Sequence, residues 1–174
     1  MANLSFLKTT LEPRPNLPPG MLRFIFTGFK PKLSKKQEGK EQSINLNPQI
    51  KIVENPNIGP DNKPLNGQPI FENLNLKFVP RIQDFCHALG CAMTENGENV
   101  DIPGYFDGDT NNPDPAQWGA YHGPLLNEVG TVELAEVKSR KAGAKPTDTQ
   151  TDIKRYICRV PGCTVNHMES LLQS

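Results

Sequence analysis

Gln68–Gly90, QPIFENLNLKFVPRIQDFCHALG, sets how the rest of this 174-residue chain is read. Ile70, Leu74, Leu76 and Phe78 place apolar side chains on one face of an extended segment. Pro80 suits the first turn of a helix, where a missing N–H leaves nothing unbonded. Ile82, Phe85, Cys86 and Leu89 then recur at i, i+3, i+4 and i+7, so Pro80–Leu89 is predicted helical with that stripe buried. Gly90 supplies the left-handed residue that ends such a helix. The unit is one strand passing into one helix.

Outward from this unit, two strands are expected before it and two after. Met21–Lys30 (MLRFIFTGFK) alternates Leu22, Phe24 and Phe26 against Arg23, Ile25 and Thr27, and Gly28 marks a bulge. Ser43–Val53 (SINLNPQIKIV) is the second strand, with Pro48 implying an edge or a bulge. Gly130–Lys138 (GTVELAEVK) and Ile153–Val160 (IKRYICRV) are the last two, the buried register of the final one turning on Ile153, Tyr156 and either Ile157 or Cys158. Met168–Leu172 reads as a short helical turn.

Three strands, a helix and two strands is the order of an OB-fold. The expected fold is therefore all-β with one helix: a five-stranded OB-like barrel, the helix between strands three and four. Residues 1–20 read as an irregular arm, 21–165 as the OB-like domain, 91–126 as a long acidic insertion and 166–174 as a tail.

Composition agrees with a β-rich chain of long loops: it has 17 Pro and 14 Gly and is 36% hydrophobic. No run of about 18 apolar residues offers a membrane span, and the first residues lack the apolar core of a secretory signal. The expected location is cytoplasmic, the host cytoplasm if the gene is a phage's. Four cysteines in that setting point to thiols or a metal site rather than disulfides.

The net charge of zero hides three blocks. Residues 1–40 hold eight Lys/Arg and two acids, residues 84–136 hold ten acids and no Lys/Arg, and residues 137–174 hold seven Lys/Arg and three acids. Each block could be simply a solvated surface. Read as function, the basic blocks suit a single-stranded nucleic acid, which needs cations for phosphates and rings for bases. Candidate contacts are Arg23, Phe29, Lys30, Lys32, Lys35 and Lys36 on and after the first strand, with Lys154, Arg155, Tyr156 and Arg159 on the last. First and last strands are expected side by side, joining both sets in one surface.

Cys158, Cys163 and His167 are spaced C-x4-C-x3-H around a Pro-Gly turn, so a structural Zn2+ is expected there, with a fourth ligand from Cys86, His87, Cys91 or His122. Two half-buried thiols beside a turn are the plainer alternative. Asp107, Asp109, Asn111 and Asp114 resemble the start of a calcium loop but lack its later Gly and Glu, so an exposed turn is the better reading. No triad, nucleophile elbow or phosphate loop occurs, so no enzyme is expected.

Five phrases carry a resemblance: LPPGMLRFIFTGFKPKLS, SINLNPQIKIVENP, GQPIFENLNLKFVPRIQDFCHALG, WGAYHGPLLNEVGTVELAEV and IKRYICRVPGC. Together they resemble a family of phage early-region proteins that are small, OB-like and associated with single-stranded DNA. The resemblance implies a replication or recombination accessory that binds single-stranded DNA without sequence preference, with replication or recombination proteins as further partners. The chain departs from better known phage single-strand binders in ending HMESLLQS rather than in an acidic tail. The rival expectation is a protein–protein module, a virion component or host-factor inhibitor, acting through the acidic insertion. Homo-oligomerisation is compatible with either.

Overall fold

A computed structural model describes residues 17–139, 143 and 145–163. Its centre is β1 (Gly20–Phe29), hydrogen-bonded antiparallel to β4 (Pro48–Val53) on one side and β10 (Val129–Lys138) on the other. β5 (Pro69–Ile70) extends the sheet beyond β4, and β11 (Thr149–Ile157) extends it beyond β10. The order is thus β11-β10-β1-β4-β5, every pair antiparallel, in a sheet curled into a half-barrel.

The short ribbon β2 (Lys32–Leu33) with β3 (Ile44–Asn45) leaves the far end of β1. Ser43–Val53 is therefore two strands, not one. Asn47 breaks it with a φ of +44°, while the N–H of Lys30 donates to the carbonyls of Leu46 and Asn47.

The inner face of the sheet meets the helix α1 (Val79–Ala88). The predicted stripe Ile82, Phe85, Cys86 and Leu89 is buried along its length. Phe85 packs against Phe24 and Phe26 of β1, with ring centroids 6.2 and 5.4 Å apart. Gly90, at φ +83°, closes the helix: its N–H bonds His87 O and the N–H of Cys91 bonds Cys86 O. Gly130 of β10 is where the sheet and helix come closest. A Cβ there would lie 2.8 Å from the Phe24 ring and 2.9 Å from Ala88 O, so only glycine fits.

The strand expected over Ile70–Phe78 is cut short. Only Pro69–Ile70 joins the sheet. Leu74 and Leu76 bond instead to Leu46 and Ile44 across an Asn45–Asn75 bridge. The Asn75 amide donates to Ser43 Oγ and Asn45 Oδ1, while its Oδ1 accepts the N–H of Lys77. That side-chain turn ends the extended run and leaves Leu76 and Phe78 exposed.

The acidic segment 91–126 is structured. It forms the hairpin β6 (Thr94–Asn96) and β7 (Asn99–Asp101), the pair β8 (Tyr105–Phe106) and β9 (Tyr121–His122), and a 3-10 turn at Pro115–Gln117. Trp118, Tyr121 and Leu125 bury their side chains in the main core, so the segment is partly a wall of the domain.

Among the described residues, no helix is long and apolar enough to cross a membrane.

Candidate functional site

Three potential metal donors meet where α1 ends and β11 finishes. His87 belongs to the last turn of α1, and Cys158 follows β11 directly. A turn through Val160, Pro161 and Gly162, with the N–H of Cys163 on Val160 O and Gly162 at φ +67°, returns Cys163 toward Cys158. The two Sγ atoms lie 3.6 Å (Cys158) and 3.4 Å (Cys163) from His87 Nδ1, and all three donors lie within 4.8 Å of one another. This cluster could hold a metal ion.

The position is fixed by backbone. His87 O accepts the N–H of Arg159 at 2.8 Å, tying the end of β11 to the helix terminus. His87 is buried and both cysteines are half-buried. Burial first, then the Cys163 thiol and the buried Asp84 carboxylate, push the Cys158 thiol up, while a backbone bond from Val160 pulls it down.

Of the expected ligands, Cys158 and Cys163 are brought together; His167 lies outside the described residues, as do Met168–Leu172. Of the four candidates for a further ligand, His87 joins them. Cys86, one residue earlier, points into the core, where burial pushes its thiol up to about 12. Cys91 bonds the carbonyls of Leu89 and Pro124, and His122 pairs with Asp107 at 2.8 Å.

The acids of the calcium-like stretch serve turns instead. Asp109 and Asp114 accept the N–H groups of Asn111 and Ala116, two residues on.

The nucleic-acid candidates divide. Phe29 and Tyr156, expected to stack bases, are 7% and 6% exposed. Phe29 packs on Phe26 and Tyr121 at centroid distances of 4.7 and 5.1 Å. The Tyr156 hydroxyl donates to the Glu72 carboxylate, which Arg81 also holds at 3.0 Å while lying over the tyrosine ring. Neither ring has a face left for a base.

The expected cations of the last strand are paired. Glu133 receives Arg155 at 2.6 Å and Lys154 at 3.4 Å, and Arg155 beside it holds its carboxyl below the usual carboxylate value. Arg159 lies 3.5 Å from Glu128 and donates to Val129 O. On β1, Arg23 pairs with Glu54 at 2.7 Å. β10 separates β1 from β11, so the two basic sets do not share adjoining strands.

Lys30, Lys32, Lys35 and Lys36 differ: no described carboxylate lies in ion-pair range of them. Of these four only Lys35 lines a concavity of about 490 Å³ beside the β2–β3 ribbon, whose walls also include Lys40, Lys77, Ser43 and Glu41. Lys77 enters because the Asn75 turn lays residues 74–77 along β3. The next residue, Phe78, is 38% exposed. Sequence reasoning missed Lys40, Lys77 and Phe78; the Asn75 turn was the available signal. A separate apolar groove of about 450 Å³ runs between α1 and the acidic segment, with Val79, Val100 and Tyr105 at its exposed margins.

Compared with protein-family models, with curated proteins and with solved structures, the chain shows no significant match.

Proposed function

We propose that the protein is a non-enzymatic binding module of OB-like topology that takes single-stranded nucleic acid on its lysine ribbon. The observation that carries this reading is the concavity where Lys35, Lys40 and Lys77 converge from two segments, with Phe78 next in the chain. Lysines bind phosphates as point charges, and an exposed ring beside them is a surface for a base. The buried Phe29 and Tyr156 play no such part; Phe78 is the exposed ring next to Lys77.

The topology supports the same reading. The sheet strands in chain order are β1, β4, β5, β10 and β11, with α1 after the third and the first strand central. Three strands, a helix and two strands is the chain order of an OB-fold, whose loop between the first two strands helps to bind oligonucleotides. On this reading the β2–β3 ribbon would take that loop's place. The resemblance to phage proteins associated with single-stranded DNA fits as well.

The test is anisotropy of a labelled oligothymidylate with variants of the two basic sets. Lys35→Glu with Lys77→Glu is expected to weaken binding at least tenfold, and Phe78→Ala to weaken it by roughly 1–3 kcal/mol. Arg155→Gln, which removes a cation already paired, is expected to change it little. If the ribbon variants bind as wild type does, the reading is wrong; the interaction-module reading, through the groove beside the acidic segment, then takes its place.

A further inference from the structure

We infer that His87, Cys158 and Cys163 form a structural zinc site that clamps the end of helix α1 to the end of β11. The inference stands apart from nucleic-acid binding and rests on donor geometry. In a tetrahedral site with Zn–S of about 2.3 Å and Zn–N of about 2.05 Å, neighbouring N and S donors stand about 3.5 Å apart and two S donors about 3.8 Å apart. The two N–S separations here are 3.4 and 3.6 Å, and the third edge is under 4.8 Å. Two of the three donor–donor edges thus match a zinc tetrahedron, and the third is short enough for both sulfurs to reach one ion.

A hydrogen-bonded cluster explains this less well. His87 Nδ1 offers either a single lone pair or a single N–H. It cannot serve two sulfurs equally, yet both sulfurs converge on it. A cation at the common centre serves all three donors at once. Two thiolates and an imidazole are the donor set that selects zinc over calcium or magnesium. Binding replaces two S–H bonds by two S–Zn bonds and releases two protons to solvent, so the two thiolates cancel the charge of Zn2+.

The role is structural because of what the ligands join. His87 belongs to the helix, and both cysteines flank the turn after β11. Among the described residues, the His87 O to Arg159 N–H bond is the one backbone hydrogen bond that otherwise ties these two ends.

Elemental analysis of full-length protein purified without chelator is expected to find about one zinc per chain. Replacement by Co2+ is expected to give the visible bands of tetrahedral cobalt and a near-ultraviolet thiolate-to-cobalt band. Cys163→Ser, at a half-exposed position that leaves the core intact, and His87→Ala are each expected to lower zinc affinity at least tenfold in competition with a chromophoric chelator. Cobalt spectra without a thiolate band, or Cys163→Ser holding zinc as tightly as wild type, would overturn the inference. So would a site that survives His87→Ala and is lost in His167→Ala, since the ligands would then be the local C-x4-C-x3-H set. Oligonucleotide binding enters none of these readouts.

Discussion

Tyr156 carries its hydroxyl into the core, where burial first and then the Glu72 carboxylate push the phenol well above its usual range. It stays the donor in its bond to Glu72. Tyr156→Phe deletes that donor while leaving the Glu72 side chain buried against Arg81, and is expected to cost about 1–3 kcal/mol in urea unfolding. Phe29→Ala opens a hole among Phe26, Phe85 and Tyr121 and is expected to cost about 3–5 kcal/mol. In the oligonucleotide assay, the same variant should bind normally at temperatures where it is folded. Phe29 was legible as an aromatic on a strand but not as core, whereas Tyr156 was placed with Ile153 in the buried register and also among the rings expected to stack bases. A bulge resets the two-residue alternation. The register of β1 shifts between Phe26 and Gly28, turning Phe29 inward with Phe24 and Phe26. The register of β11 shifts beside Arg155, so Ile153 and Tyr156, three apart, share the buried face. Gly28 announces the first bulge; no residue announces the second. Glu133 adds a pH dependence. Its carboxyl sits below the ordinary 4.5 when folded, first through the Arg155 bond, so its contribution is complete above that value and fades as pH falls through the lowered one. Acid titration of stability should show a shallower fall in Glu133→Gln than in wild type.

Helix α1 was the most legible element, because its spacing, its proline start and its glycine stop agree, and the stripe is buried as expected. What spacing could not show is how closely β10 approaches it. Gly130→Ala puts a methyl carbon within 3 Å of the Phe24 ring and Ala88 O. Strand and helix must then part, which is expected to cost about 1–3 kcal/mol and to lower the melting temperature. The Ile70–Phe78 segment shows the opposite case. Its apolar alternation is real, but Asn75 uses its side chain to bond Ser43, Asn45 and the Lys77 N–H. That side-chain competition ends the strand and brings Lys77 to the ribbon. The metal cluster has a similar history. The Pro-Gly turn between two cysteines is a local signal, whereas His87 lies 71 residues before Cys158 and reaches it only through packing of α1 on the end of β11.

For the whole molecule, the β-rich architecture and the place of its helix followed from element order, since short strands separated by Pro- and Gly-rich turns leave few alternatives. Surface assembly did not follow, because charge blocks in sequence become patches only through pairing. β10 supplies Glu133 to the cations of β11 and stands between β11 and β1, whereas Lys35, Lys40 and Lys77 share their concavity with Glu41 and form no ion pair with a described carboxylate. The proposed binding surface lies at one end of the sheet and the proposed metal clamp at the junction of α1 and β11. The most direct test of the proposed binding is the salt dependence of oligothymidylate affinity in the wild-type protein. Each phosphate neutralised contributes about −0.7 to the log–log slope, so four or so lysine contacts predict a slope near −3. Absence of binding at about 50 mM salt, where counterion release favours it most, or a slope near zero, would contradict the account.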